Sequence, residues 1–151
     1  MAQIWQQFTH GVPEKPVVLE LQGRKLEVHK SAKDNAFFTF SELCTTAMGA
    51  ADYIAIASAF PTVFLADIPI LHNSEFNWVR RLITLVDTLY EHKVKLICSA
   101  AAPPELIFVP DDAGGAGHEE KFAWSRTLSR LAEMQTQEYL SSPHKPSNWK
   151  N

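Results

Sequence analysis

The chain of 151 residues has two cysteines, Cys44 and Cys98, and no Cys-x-x-Cys pair. Two distant thiols exclude a disulfide framework and a thiolate zinc ribbon, and they fit a reduced compartment. Basic charge is also short. Fourteen Lys and Arg stand against 17 Asp and Glu, a net charge of −3, so nothing global favours nucleic acid. No apolar run approaches the roughly 20 residues of a membrane-spanning helix. The six histidines show neither HxxxH nor HExxH spacing, and no serine has a G-x-S-x-G setting. A zinc hydrolase and a serine hydrolase are therefore both without support. "MAQIWQQF" is neither a secretory signal nor an Arg/Ser-rich transit peptide, so the protein stays where it is made or its true N-terminus is missing.

What is present is ordinary for one folded domain: 46% hydrophobic and 21% charged residues, with no repeats and no linker. Ile4 to Phe8 reads as the tail of a helix cut at Gly11 and Pro13. "PVVLELQGRKLEV" alternates, with Gln22-Gly23 as a turn, and predicts a β-hairpin. "KSAKDN" is a polar loop, "AFFTF" a short strand, and Ser41 is placed to cap a helical turn reaching Cys44. "GAADYIAIASAF" predicts a helix stopped by Pro61, and Thr62 to Ile68 a buried strand ended by Pro69. Phe76, Val79, Ile83, Val86 and Tyr90 keep the 3-4-3-4 spacing of one buried helical stripe, opened at Asn73 or Ser74. "VKLICSA" is the next strand, and a last helix from about Lys121 to Leu140 buries Trp124, Leu128 and Leu131. Strand–helix–strand order with apolar strands implies parallel pairing and an α/β layered domain over residues 1–140. Residues 141–151 are expected to form a disordered tail.

Three patterns bear on chemistry. "TVFLADIPIL" looks like the strand end that holds magnesium in a P-loop ATPase, but Ile68 follows Asp67 where a second carboxylate would orient water. Asp67 is then better read as the end of a buried strand that caps nearby amides. Gly114, Gly115 and Gly117 lack a following Lys-Ser or Lys-Thr and come after two aspartates, so they make no phosphate cradle. Arg80 and Asp87 share a helix flank and would support each other. Arg81 points away from the apolar stripe, towards solvent or a partner. Arg126 and Arg130 lie one turn apart on the last helix, a like-charge pair that Glu133 could offset. A solvated face is the plain explanation of these arginines. The other is contact with a phosphate or a neighbouring subunit, for which the fork-shaped, permanently charged guanidinium is suited.

Together, "LQGRKL", "FSELC", "GAADY", "VFLADIP", "RRLITLVDTLYEHKVKLICSA" and "SRTLSRLAEMQTQEYL" resemble the C-terminal region of the AFG-one-like family (ATPase family gene one). That family of AAA+-like P-loop ATPases includes the bacterial division protein ZapE and the mitochondrial lactation-elevated protein. The resemblance spans about Val17 to Leu140 and departs at Leu82, where phenylalanine is typical. It implies an N-terminal hairpin, a short mostly parallel sheet flanked by helices, and a long C-terminal helix. The family's ATP-binding motifs lie upstream and none occurs here. Ala66-Asp67-Ile68 and Ser99-Ala100-Ala101 stand where Asp-Glu and Thr-Ser-Asn would, as though the segment were a degenerate counterpart of the nucleotide half.

The resemblance implies ATP and Mg2+ as cofactors of the complete protein, none of them bound by this chain alone, which is expected to be inactive by itself. Implied partners are the missing N-terminal nucleotide-binding half, further copies in a homo-oligomer, and client proteins. Those clients are respiratory-chain subunits under quality control at the mitochondrial inner membrane, or the bacterial division machinery. Motif detail leans to a mitochondrial member, with the bacterial cytoplasm as the alternative. Arg126 and Arg130, then Arg81, are the residues expected to meet phosphate or partner. The competing reading is a non-catalytic protein-interaction module.

Overall fold

The computed structural model describes residues 1–21, 23–109 and 118–146, with only the backbone for 118–120. Helix α1 (Ala2–Thr9) is followed by strands β1 (Lys15–Leu21), β2 (Arg24–Ala32) and β3 (Asn35–Thr39). Helices α2 (Phe40–Cys44) and α3 (Ala50–Ala59) lead to β4 (Thr62–Ile68) and the short β5 (Leu71–His72). A 3-10 turn (Asn73–Glu75) opens α4 (Phe76–Glu91), and β6 (Lys95–Ala100), α5 (Pro104–Ile107) and β7 (Phe108–Val109) follow. The chain closes with α6 (His118–Glu133) and α7 (Gln137–Ser141). The main sheet runs β1-β2-β3-β4-β6, antiparallel as far as β3 and parallel beyond it, while β5 and β7 form a separate parallel pair.

β4 explains the layering. Thr62, Val63, Phe64 and Leu65 are all buried, as in a strand covered on both faces. Val63 and Leu65 enter the main core with α3 and α4. Phe64 enters a smaller cluster on the other face, where Trp5 of α1 meets it edge-on at 5.0 Å and meets Phe37 at 5.7 Å. On α4 the buried set is Val79, Leu82, Ile83, Leu85, Val86 and Leu89, wider than the expected stripe, while Phe76 is exposed. The helix is wedged between α2 and α3 on one side and α6 on the other, so it needs two apolar flanks.

Several local expectations are corrected. "KSAKDN" is no loop. Lys33 and Asp34, with φ of 49° and 67°, make a two-residue turn of the left-handed kind that matches hairpin twist. Asn35 fastens that turn by donating to the Ala32 and Lys33 carbonyls at 3.1 and 2.9 Å. Thr39, not Ser41, caps α2. Its hydroxyl accepts from the Glu42 N–H at 3.2 Å and Glu42 Oε1 accepts from the Thr39 N–H at 2.8 Å, a reciprocal capping box. The last helix is two helices, because Thr136 caps α7 by accepting from the Tyr139 N–H. The tail is not loose as far as residue 146. His144 Nε2 donates to the Ala57 carbonyl at 2.6 Å, and the Lys145 N–H donates to the His92 carbonyl at 2.8 Å. Residues 147–151 lie outside the described residues, as do Gln22 of the hairpin turn and Gly114, Gly115 and Gly117.

Candidate functional site

β4, α4 and β6 form a parallel strand–helix–strand unit, with Leu65 opposite Cys98. The two strand ends singled out in the sequence therefore lie side by side. Asp67 takes a left-handed conformation, φ 65°, within a register irregularity between Leu65 and Ile68. Its N–H donates to Ser99 Oγ at 2.9 Å, so Ser99 tethers the bulge. The Asp67 side chain is exposed and, among the described residues, caps no amide, contrary to expectation. The bulge turns it away from the sheet, while Ile68 returns to the core.

The arginines separate into engaged and free. Arg130 pairs with Asp87 Oδ1 of α4 at 2.5 Å and lies 5.3 Å from the Tyr90 ring centroid. The bond to Asp87 raises the already high guanidinium pKa. Tyr90 donates from its hydroxyl to Glu133 at 2.8 Å, and that bond, more than burial, raises its pKa. Lys93 stands 4.9 Å from the Tyr90 centroid and 5.3 Å from that of Tyr139, which stacks on Tyr90. The α4–α6 seam is thus a cation–aromatic ladder. Asp87 is taken by Arg130 rather than by Arg80, which lies over Phe76 at 5.2 Å. Arg81 turns back onto the fold instead of outward, donating to the Cys44 carbonyl at the end of α2 at 3.3 Å. A cation there suits the negative end of the helix. Arg126 is exposed and has no hydrogen bond or ion pair among the described residues.

Beside the seam is a cavity of about 550 Å³. Leu65, Ile68, Leu96, Cys98 and Ala100 floor it, α4 walls one side, and Trp124, Leu131 and Met134 wall the other. The Trp124 indole donates to the Pro104 carbonyl at 3.3 Å, which positions α6 over α5. Cys98 is open to this hollow, yet protein crowds it on most sides and pushes its thiol up to about 12. Cys44 is fully buried, and desolvation, only partly countered by Arg81, pushes its thiol up to about 12. Neither is a ready nucleophile at neutral pH.

Sequence reasoning missed one further polar centre. Asp52 is 1% exposed, pairs with Arg24 of β2 and accepts from the Gly49 N–H at 2.8 Å. Only its position near the start of α3 was visible, because its cation comes from a hairpin 28 residues earlier. Among the described residues no group of three or more His, Cys, Asp or Glu side chains is placed to hold a metal, and Asp67 belongs to no such group.

Comparison with known proteins gives the wider setting. The model of the AFG1-like ATPase family matches residues 1–143. Cell division protein ZapE of Escherichia coli K12 is 36% identical over 144 residues, covering 95% of this chain and 36% of that protein. Lactation elevated protein 1 homolog B of Danio rerio is 33% identical over 160 residues, covering 89% of this chain and 32% of its own length. The chain therefore spans about a third of the curated relatives it matches. No solved structure matches. The match over nearly its whole length places the chain in the AFG1-like ATPase family.

Proposed function

We propose that this chain is the C-terminal part of an ATP-hydrolysing protein of this family, itself without a nucleotide site, and that it completes the ATPase by packing on the nucleotide-binding part. The observation that supports the reading is the division among the arginines. Arg81 is held by the end of α2 and Arg130 by Asp87, while Arg126 is exposed and unpaired among the described residues. Of these three arginines, judged among the described residues, Arg126 is the one at liberty to reach a phosphate or a partner without dismantling the fold. Arg130, paired with Asp87, supports the face that displays Arg126. Protein quality control or complex assembly, in a mitochondrion or in bacterial division, is the finer part of this proposal and rests on family membership alone.

The test is made in a full-length family protein carrying this segment. Arg126→Ala should lower ATP turnover at least tenfold with little change in melting temperature, since an arginine finger can be worth roughly 10³-fold or more. Arg126→Lys should restore little, because lysine lacks the fork. Unchanged turnover in Arg126→Ala removes the phosphate role. The non-catalytic module is then the better reading, supported by the exposed apolar side chains Phe122 (73%) and Leu106 (61%).

A further inference from the structure

The two edges of the main sheet are built differently. β1 carries Pro16, a register irregularity between Lys15 and Val17, and charges at Lys15 and Glu20. These are the means by which an edge strand avoids recruiting another. β6, "KLICSA", has no proline and one charge, at its first residue. Among the described residues its only strand partner is β4, although parallel strands are ordinarily interior. The Lys95 N–H donates to the Pro61 carbonyl at 2.9 Å, on the β4 side. Because alternate residues of a strand turn their backbone groups to opposite sides, Leu96 and Cys98 direct theirs to the open side.

The space beside that edge is shaped for side chains. α6 leans on α4 and leaves the cavity of about 550 Å³ above Leu96, Cys98 and Ala100. A strand laid along β6 would send every second side chain into it, and the hollow is lined mainly by apolar groups. A helix placed there would leave the Leu96 and Cys98 amides unpaired, so the occupant is a strand.

We propose that β6 is a docking edge for an apolar β-strand from the part of the family chain that this one does not span. The relatives supply the length: about two thirds of ZapE lies outside the matched segment, which covers 36% of it. The proposal rests on the reading that this chain packs on the nucleotide-binding part, and it names the edge that does so. Main-chain bonds to Leu96 and Cys98 provide the affinity, and alternate apolar side chains in the cavity provide the register.

The experiment mixes the 151-residue chain with the remaining portion of E. coli ZapE, expressed as a separate polypeptide, and follows amide hydrogen exchange. The Leu96 and Cys98 amides should exchange readily in the chain alone and slow at least a hundredfold in the complex. Cys98→Pro removes an outward N–H, which an edge strand tolerates. It should melt near wild type and bind at least tenfold more weakly. The exchange measurement on the wild-type chain decides the matter even if that variant does not fold. Binding without protection at β6, or equal binding by a folded Cys98→Pro, overturns the docking edge and leaves the packing reading standing. Absence of any binding by a ZapE portion shown to be folded by circular dichroism and by its own cooperative melt overturns both. Self-association that protects β6 without the ZapE portion assigns the edge to a second copy and overturns the proposed occupant.

Discussion

Replacing Arg24 tests whether the β1–β2 hairpin is held to α3 by charge. Asp52 is 1% exposed, Arg24 is 50% exposed, and among the described residues the carboxylate has one other partner, the Gly49 N–H. In Arg24→Met the apolar stem survives and the carboxylate loses its cation. A buried charged group short of a partner costs roughly 1–3 kcal/mol. Because water reaches the exposed half of the guanidinium, the low end applies, about 1.5 kcal/mol. Asp52→Ala lets Arg24 go to solvent cheaply but also strips the N-terminal cap of α3, about 1 kcal/mol. Arg24→Met therefore costs about 1.5 kcal/mol and Asp52→Ala about 1 kcal/mol, which for a chain of this size lower Tm by about 3–6 and 2–4 °C. Urea denaturation of both single variants and the double variant measures the coupling. With Asp52 already alanine, Arg24→Met should cost less than about 0.5 kcal/mol, as surface changes usually do. If it costs as much there as in the wild type, the two residues act independently and the charge link is refuted.

Two further outcomes follow from buried polar groups. An ordinary thiol titrates at 9.0 and Cys44 is held up to about 12, so above about pH 9 the unfolded chain gives up a proton that the folded chain keeps. The unfolded state then binds fewer protons, and stability falls with rising pH by up to about 1.4 kcal/mol per unit, with no effect below that range. Cys44→Ala should flatten this alkaline decline in urea titrations between about pH 9 and 11, and parallel slopes for variant and wild type would sink the argument. The buried Tyr139 hydroxyl donates to the Val94 carbonyl at 2.7 Å and lies 3.3 Å from the Leu89 carbonyl. Tyr139→Phe should cost about 1–2 kcal/mol, read as the shift in urea midpoint, and a loss under about 0.3 kcal/mol would show that water replaces the hydroxyl.

What could be read from the sequence was what depends on local period and punctuation. The hairpin, α3, β4, α4 and β6 each announce themselves by alternation, helical spacing or a flanking proline, and the parallel pairing of β4 with β6 follows from their order. Family membership was legible from long motifs such as "RRLITLVDTLYEHKVKLICSA". Caps were less so. Ser41 and Thr39 are equally good by type, and only the backbone decides which hydroxyl faces the Glu42 N–H. The arginine partners were not legible, since Asp87 and Arg130 are 43 residues apart and meet only because α6 lies against α4. The cavity was least visible of all, because it arises from α6 failing to settle on β6, a matter of volumes and not of pattern.

His144 and Lys145 tie down the C-terminal ends of α3 and α4, and Tyr139 fastens the turn between α4 and β6. These fasteners are made by the ribosome after everything they secure. A nascent chain that has already assembled the sheet from β1 through β6 still has the far ends of two core helices unanchored until these residues emerge. The fold is therefore sealed from its C-terminal side, and a chain that stalls just short of His144 would carry a nearly complete sheet beneath an open seam.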